Sequence, residues 1–295
     1  MHELPQFDVY APSKLGEALS YLSGEGRGSR LLAGGTWLIP AMRKEGTRVE
    51  RVVDLSGLSN LSYVRRSQNL LRIGALTTIS GLADSDILDG RYCCFKRLGR
   101  LFGSAATRNM ATVGGNLAAG APGDLAEILA VLEGRVIIHN ARRKRVASPT
   151  ALRLAGDEMI VEVQFADLKG HTATWFNKFE KRKQGGAGLV TTTTLLRLRD
   201  RRTVGDVRIA LSRIRGKETG RAEKAEAQLR GKAANPENIQ RALVALESEM
   251  HPAGDYQGSS RFRKKIAVAM VREGLEKCLE RLDQAPGRAR EEGKC

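Results

Sequence analysis

Hydrophobic residues in the first fifty positions recur at the spacing of short helices and strands. One helical face consists of Leu15, Ala18, Leu19 and Leu22. Ser13, which follows Pro12, is the N-cap that we expect for this helix. Three further elements are predicted: an apolar strand at 31–33 that leads into Gly34-Gly35-Thr36, a helix from Trp37 to Lys44, and a strand at 52–55.

A second segment begins near Leu58 and contains the longest stretch without periodicity. Between Gly103 and Gly123 the chain is small and polar, and a loop of this length inside a compact domain is usually functional or disordered. Around it the pattern predicts a strand at 70–75, a helix that starts at Thr77-Thr78, a helix of mixed polarity that leads towards Phe102, an apolar helix at 125–132, and strands at 136–139 and 159–165.

The third segment begins near Thr172 and has the clearest strand pattern. Alternating positions are occupied by Val190, Thr192, Thr194, Leu196 and Leu198, and then by Val207, Ile209 and Leu211. A charged turn at 200–202 separates the two runs, so we expect an antiparallel hairpin. Helices are predicted at 222–229, 236–249 and 260–280, before a charged tail at 284–295.

The chain has 295 residues, enough for two or three compact units, and a formal net charge of +16. Such a charge is typical of a nucleic-acid surface or of a protein with an acidic protein partner. It is also typical of an arginine-rich protein with solvated faces. The surplus lies between Arg197 and Lys232, where acidic residues are interspersed and aromatic residues are missing. Without rings for base stacking, we do not expect nucleic-acid binding.

The sequence also predicts where the protein works. No apolar run approaches the length of roughly 20 residues that a membrane helix needs, and residues 1–10 lack the pattern of a signal peptide. We therefore expect a cytoplasmic protein. The four cysteines, Cys93, Cys94, Cys278 and Cys295, form no CxxC pair. They are expected to be plain thiols, and the chain to bind no metal of its own.

Two glycine-rich turns are the strongest candidates for chemistry. Ala33-Gly34-Gly35-Thr36 lies between a strand and a helix, where unbonded amides suit a phosphate, although such a corner also needs glycine simply to turn. Thr112-Val113-Gly114-Gly115-Asn116 lies inside the long loop, and its amides are a second candidate. Two such turns far apart in the sequence suggest a long ligand with a pyrophosphate in its middle.

The polar residues near the second turn have two interpretations each. Asp124 is either a ligand contact or the N-cap of the helix at Leu125. Asn116 is either a ligand contact or a left-handed turn residue. The sequence contains no GxxxxGK[ST] loop, no Rossmann fingerprint and no nucleophile motif beside its four histidines, which argues against nucleoside triphosphatases, Rossmann dehydrogenases and hydrolases.

A family resemblance extends over nearly the whole chain. It rests on Leu32-Ala33-Gly34-Gly35-Thr36 with Leu38, Ile73-Gly74-Ala75 with Thr77-Thr78, Arg108-Asn109, Thr112-Val113-Gly114-Gly115-Asn116-Leu117, Gly156-Asp157-Glu158 with Ile160, the run 176–182, Arg221 to Lys232 and the run 255–263. In order and spacing, these motifs resemble the medium, FAD-binding subunit of the xanthine dehydrogenase and carbon monoxide dehydrogenase family. The chain departs from that family's pattern at Trp37, in a shorter loop before Asp124 and at Gln184-Gly185-Gly186.

The resemblance implies an α+β fold like that of vanillyl-alcohol oxidase flavoproteins. It implies an FAD-binding domain at 1–172, made of subdomains 1–56 and 57–172, and a domain at 173–283 with a small antiparallel sheet and helices, followed by the tail at 284–295. The FAD-binding residues that it implies are Ala33, Gly34, Gly35, Thr36, Trp37, Phe102, Thr107, Ala111, Thr112, Gly114, Gly115, Asn116, Asp124 and Lys178.

The resemblance also implies roles for these residues. The two glycine turns would hold the pyrophosphate and ribityl chain, Asp124 would lie near the flavin or the ribityl group, and Lys178 near the isoalloxazine. Phe102 would pack by the flavin or into the core, and Trp37 over the adenine side or into the core. We expect no catalytic residue, no metal ligand and no covalent flavin link, since neither turn contains histidine or cysteine.

The implied function is electron transfer by non-covalently bound FAD. Electrons would come from the [2Fe–2S] clusters of a small partner subunit, supplied by a large molybdopterin subunit, and would leave to NAD⁺ or another acceptor. Both other cofactors are expected only in those partners. Two alternatives remain open: a free-standing FAD-dependent oxidoreductase, and a basic binding module that has lost FAD.

Overall fold

The computed structural model describes most of the chain. The described residues are 4–44, 49–120, 124–180, 188–212, 219–284 and 295. Gln184-Gly185-Gly186 and nearly all of the charged tail lie outside these ranges. Within them, no helix combines the length and the apolar character needed to cross a bilayer.

Helices and strands alternate up to residue 54 and occur in runs of one type after it. The helices are α1 (Leu15–Ser23), α2 (Leu38–Met42), α3 (Ile79–Ala83), α4 (Cys93–Leu101), α5 (Ala105–Met110), α6 (Val113–Ala118), α7 (Asp124–Val131), α8 (Glu223–Leu229), α9 (Pro236–Glu249) and α10 (Ser260–Asp283). The strands are β1 (Asp8–Tyr10), β2 (Arg30–Leu32), β3 (Arg51–Asp54), β4 (Val64–Ser67), β5 (Leu70–Gly74), β6 (Arg135–His139), β7 (Lys144–Ala147), β8 (Met159–Ala166), β9 (Thr172–Phe179), β10 (Val190–Leu198), β11 (Val204–Ser212) and β12 (Thr219–Arg221).

The N-terminal sheet is parallel and small. Its strand order is β1-β3-β2, and parallel pairing follows because a helix separates each strand from the next along the chain. α1 buries Ala18 and Leu22 against Val53 of β3. The helical face predicted from the sequence is therefore confirmed.

The middle sheet is antiparallel, with the order β4-β5-β8-β6-β7. On β5, Leu71 and Ile73 are buried while Arg72 between them is exposed, the alternation typical of a sheet with one packed face. The core on that face includes Phe95 of α4 and Ile128 of α7.

The C-terminal sheet, in the order β12-β11-β10-β9, is also antiparallel, and its hairpin confirms the prediction for 190–211. β10 is buried on both faces, which its sequence alternation did not predict. Leu195 packs in the core of the middle sheet, whereas Leu196 and Leu198 pack in the core that α8, α9 and α10 cover. With its sheets and helices arranged in this way, the structure confirms the α+β fold class.

Three predictions about local structure were wrong. The stretch from Gly103 to Gly123 is not one irregular loop, because it contains α5 and α6, which are too short to show helical periodicity but have N-caps at Ser104 and Thr112. Ser13 is not the N-cap of α1: Lys14 is, and Ser13 donates its amide and hydroxyl to the carboxylate of Glu17. The helix predicted from Trp37 to Lys44 is only the five residues of α2.

Candidate functional site

The two glycine turns meet in the structure. We call residues 33–36 the first turn and residues 111–116 the second turn. A Cβ atom on Gly34 would lie 1.6 Å from the carbonyl oxygen of Met110, which immediately precedes the second turn. Glycine is needed at position 34 because the protein's own backbone approaches there. The sequence predicts both turns but not the contact between them.

The amides of the first turn are available to a ligand. Among the described residues, none accepts a hydrogen bond from the amides of Gly34, Gly35 or Thr36. Gly35 has φ of 68°, the left-handed region in which glycine is favoured. Consecutive unbonded amides in such a turn form a site for an anion such as phosphate. The side chain of Thr36 is exposed beside them.

The second turn is different, and the interpretation that its amides face outward to phosphate is wrong. The amide of Val113 donates to the Thr77 carbonyl, and that of Gly114 to the Ala75 carbonyl at 2.7 Å. The amide of Gly115 donates to the Thr112 hydroxyl, which caps α6. A Cβ on Gly114 would lie 2.9 Å from that of Ala75, so this glycine serves the packing of α6 against the end of β5.

Side chains and backbone around the second turn connect it to its neighbours. The carbonyl of Ala111 accepts from the amide of Ile79 at 2.8 Å, and the amide of Ala111 donates to the carbonyl of Thr107. The side chain of Asn116 accepts from the amide of Leu125, at the start of α7. Asn116 lies in a helix and not in the left-handed region, so the interpretation of it as a left-handed turn residue is wrong.

A charged cluster lies at the start of α7. Lys178 of β9 donates to Asp124 at 2.9 Å and forms a second ion pair with Glu180 at 2.9 Å. The side chain of Lys178 is only 8% exposed, and its ammonium lies 5.6 Å from the ring centre of Phe102. The structure thus brings together Asp124, Lys178 and Phe102, which are far apart in the sequence.

The electrostatics of this cluster reflect its burial. Burial by itself lowers the pKa of Lys178, but the carboxylates of Asp124 and Glu180 outweigh it and raise that pKa. Burial raises the pKa of Asp124, and the charge of Lys178 offsets part of this effect. The raised pKa favours the charged form of the buried Lys178. Asp124 uses its carboxylate for the ion pair, and α7 begins at Asp124 itself.

Glu127 is a residue of this site that the sequence analysis missed. It lies one turn after Asp124 on α7, has no exposed surface, and accepts a hydrogen bond from Thr191 of β10 at 2.5 Å. Its second oxygen, Oε2, has no partner among the described residues. Burial raises the pKa of Glu127 well above its usual value. The available signal was one acidic residue inside the apolar run 125–132.

Replacing Glu127 with glutamine should stabilise the protein by an amount that grows as the pH rises above about 4.3, the pKa of an exposed glutamate. Because the folded pKa of Glu127 is raised, the wild type is most stable below that pH. Its stability then falls by up to about 1.4 kcal/mol per pH unit until the folded pKa is reached. In the Glu127→Gln variant, position 127 contributes no such dependence of stability on pH. Urea unfolding of both proteins from pH 4 to pH 8 measures the difference.

Glu247→Gln is the matched control, since Glu247 is exposed on α9. This control should leave the pH dependence of the wild type unchanged. A stability difference between Glu127→Gln and the wild type that stays constant across the pH range would show that Glu127 is not held protonated by burial.

Trp37 directly follows the first turn in the sequence. It is 58% exposed, so the alternative that packs it into the core is wrong. Met110, which approaches Gly34 through its backbone, exposes 55% of its surface. Phe102, in contrast, is half-buried: it packs against the core of the middle sheet, and its ring also lies near the ammonium of Lys178.

The site therefore has two ends that the second turn connects. The first turn offers unbonded amides to an anion, and the cluster around Lys178 offers a buried cation beside an aromatic ring. The chain between them runs through the second turn and the bond from Leu125 to Asn116. This arrangement fits an elongated ligand that contains phosphate and a polar ring system.

Comparison with known families gives two matches. Residues 5–162 match the family described as "FAD binding domain in molybdopterin dehydrogenase". Residues 175–278 match the family described as "CO dehydrogenase flavoprotein C-terminal domain". The first match spans more than half of the chain.

Similar proteins and structures agree with these matches. The carbon monoxide dehydrogenase medium chain of Hydrogenophaga pseudoflava is 28% identical over 92% of this chain and 96% of that protein. The glyceraldehyde dehydrogenase medium chain of Sulfolobus acidocaldarius is 26% identical over 90% of this chain and 96% of that protein. A solved structure of the Hydrogenophaga pseudoflava carbon monoxide dehydrogenase matches with a TM-score of 0.88 at 28% identity, over 95% of this chain and 99% of that one.

Proposed function

Because the chain belongs to the family of FAD-binding domains in molybdopterin dehydrogenases, we propose that it is the electron-transfer subunit of a molybdopterin-dependent dehydrogenase complex. In this proposal FAD receives electrons from the [2Fe–2S] clusters of a small partner subunit and passes them to NAD⁺ or another acceptor. A large partner subunit holds the molybdopterin and oxidises the organic substrate. Relatives named as medium chains of dehydrogenases support this role.

The observation that carries the proposal is the first turn. Its amides at 34–36 have no acceptor among the described residues, at the point where the family resemblance places a pyrophosphate. An unbonded run of amides is costly unless water or a ligand accepts from it. The residues present therefore fit the phosphates of FAD.

The proposed FAD-binding residues fall into three groups. The first turn, with Ala33, Gly34, Gly35 and Thr36, would bind the pyrophosphate, and the neighbouring Trp37 would pack over the adenine side. The second turn, with Ala111, Thr112, Gly114, Gly115 and Asn116, would shape the wall along the ribityl chain together with Thr107 of α5. Asp124, Lys178 and Phe102 would lie at the flavin end. We further propose the division into an FAD-binding domain at 1–172 and a C-terminal domain at 173–283.

Bound FAD supplies the ability to accept electrons one at a time and to release them as a pair. The chain's own residues provide the environment for that chemistry. Asp124 and Glu180 fix the position of the Lys178 ammonium, which has three N–H donors and so retains one for an acceptor atom of a ligand. The ring centre of Phe102 lies 5.6 Å from that ammonium. No residue of this chain needs to act as an acid or base on the organic substrate.

A test of the proposal is uptake of FAD by the full chain, followed through the visible absorbance after removal of unbound ligand. We expect a non-covalent flavin spectrum that denaturation releases. Gly35→Ala should weaken FAD binding by at least about tenfold, because alanine is disfavoured by roughly 1–2 kcal/mol at a φ of 68° and its Cβ lies 3.2 Å from Ile39 Cγ1. Titration of the apoprotein with FAD measures the affinity.

Gly28→Ala is the matched control for this titration. Gly28 has φ of 87°, so alanine is strained there too, but nothing lies within 4 Å of its Cβ position. This variant should bind FAD as the wild type does. A folded protein that takes up no FAD would contradict the proposed function, and equal affinities of Gly35→Ala and Gly28→Ala would contradict the role of the first turn.

A further inference from the structure

A cavity lies away from the proposed FAD site, where the middle sheet meets the C-terminal sheet. It has a volume of about 580 Å³, and its walls come from β5, β6 and β8 on one side and from β9, β10 and β11 on the other. Cavities of roughly 300–1,000 Å³ are typical of sites for small molecules. The size alone identifies no ligand, so the charges of the lining decide what it fits.

Three basic side chains that line this cavity have no partner among the described residues. They are Arg135 at the start of β6, Lys169 between β8 and β9, and Arg197 on β10. Most other arginines of the two sheets form ion pairs or hydrogen bonds with nearby acidic groups. We call Arg135, Lys169 and Arg197 the basic triad. Its three charges are exposed to the same space.

Each acidic residue of the same lining forms its ion pairs with another arginine and not with the basic triad. Glu133 lies 3.2 Å from Arg208 and 3.5 Å from Arg221. Asp206 lies 2.9 Å from Arg208.

The third acidic residue of the lining, Asp167, is committed in the same way. It lies 3.2 Å from Arg66 and accepts a hydrogen bond from the hydroxyl of Tyr92 at 2.5 Å. Four basic and three acidic side chains line the cavity, so the lining carries one surplus positive charge. That surplus favours a ligand that brings negative charge.

The cavity is separate from the FAD site. Thr172, at the first residue of β9, lines the cavity, whereas Lys178 of the charged cluster lies near the last residue. Six residues of extended strand at roughly 3.3 Å each place the two about 20 Å apart. A molecule in the cavity would not displace FAD.

Two of the three members of the basic triad are arginines, whose planar guanidinium groups match phosphate and carboxylate oxygens in pairs. Of these two anions, a phosphate group brings three acceptor oxygens and a charge of about −1.5 to −2, so it engages more of the basic side chains than a carboxylate does. Gln164 of β8 lines the same space, and its side-chain amide donates to Glu162. A single anion would leave two of the three cations unmatched. We infer that this cavity is a binding site for a small polyanion with at least two phosphate groups, such as a nucleoside diphosphate.

Isothermal titration of the FAD-loaded full chain tests the inference, because FAD excludes binding to the first turn. The probes are inorganic pyrophosphate, ADP and citrate. Comparing pyrophosphate with citrate distinguishes phosphate from carboxylate groups, and comparing pyrophosphate with ADP distinguishes bare phosphate from a nucleotide. We expect saturable one-site binding of pyrophosphate and ADP, and weaker binding of citrate. The double variant Arg135→Gln/Arg197→Gln should weaken the phosphate probes by at least about tenfold, the loss typical of a charged hydrogen bond.

Arg241→Gln/Arg261→Gln is the matched control, since it removes the same charge from exposed positions of α9 and α10 that do not line the cavity. It should bind pyrophosphate as the wild type does. If the double variant does not fold, the single variants Arg135→Gln and Arg197→Gln replace it. Both positions are exposed, so each single variant should fold and should also bind the phosphate probes more weakly than the wild type does.

Three results would overturn the inference. They are no saturable binding of pyrophosphate or ADP at millimolar concentration, equal weakening in the cavity variant and the control, and binding of citrate as tight as that of pyrophosphate. Each can be told apart from failure of the proposed function, because FAD occupancy is measured on the same samples through their visible absorbance.

Discussion

Methionine in place of Lys178 is expected to destabilise the protein by about 3–5 kcal/mol at neutral pH, the cost typical of breaking a buried ion pair from one side. Methionine keeps much of the volume of the lysine stem. It leaves Asp124 and Glu180, whose side chains are only 10% and 12% exposed, without the cation that lies 2.9 Å from each of them. Urea unfolding at pH 7 measures this loss.

The loss of stability caused by Lys178→Met should depend on pH. Without the lysine, burial raises the folded pKa of Asp124 above its unfolded value, so the wild-type and variant stabilities should approach each other below about pH 4 and diverge as the pH rises. Lys277→Met is the control, because the exposed pair of Lys277 and Glu280 should contribute less than about 1 kcal/mol. A deficit of Lys178→Met no larger than that of Lys277→Met would show that the charged cluster is not buried as described.

Valine in place of Gly34 is expected to abolish FAD retention and to cost about 3 kcal/mol of stability, at the upper end of the range for overpacking. Its Cβ would lie 1.6 Å from the carbonyl oxygen and 2.4 Å from the carbonyl carbon of Met110. Neither group can give way without moving the first turn away from the second. Thermal unfolding of the apoprotein and a titration with FAD measure the two effects.

The control for Gly34→Val is Gly16→Ala, where nothing lies within 4 Å of the new Cβ and the residue is inside α1. Alanine there should stabilise the helix by about 0.5–1 kcal/mol and leave FAD binding unchanged. If Gly34→Val kept full flavin occupancy and wild-type stability, the two turns could not be in the contact described. Loss of FAD in Gly34→Val alone would not establish a direct ligand contact, which is why Gly35→Ala carries the test of the first turn.

The first turn shows how far sequence reasoning reached in this protein. Its position and its unbonded amides were predicted correctly from a strand, two glycines and a helix. The reason for glycine at position 34 was not predicted. The contact of Gly34 with Met110 joins segments about 75 residues apart, and no local sequence pattern indicates such a contact. The second turn has the same appearance in the sequence, yet its amides bond to Thr77, Ala75 and Thr112.

The charged cluster illustrates the same limit in a different way. The family resemblance placed a basic residue at Lys178 and an acidic one at Asp124. That they form an ion pair depends on how α7 packs on β10 and β11, which brings its first residue beside β9 and which only the folded chain determines. Glu127 was missed because an acidic residue in a helix is usually solvated, and nothing in its neighbours along the chain indicates that Thr191 covers it.

Secondary structure was predicted best where elements are long. α9 and the hairpin of β10 and β11 were found with nearly their observed ends, because their periodicity extends over eight or more residues. α5 and α6 have six residues each and were missed, since so short a helix has no second repeat of its apolar face. Their N-caps at Ser104 and Thr112 were the local signal that remained.

The double burial of β10 also links the folding of the middle sheet to that of the C-terminal sheet during synthesis. The core of the middle sheet includes Phe176 of β9, Leu195 of β10 and Ala210 of β11, in addition to residues from the first half of the chain. A nascent chain that has emerged only as far as β8 therefore holds its five strands but exposes part of their apolar face. The ribosome must release residue 210 before that face is covered, so the two regions complete their folding together and not one after the other.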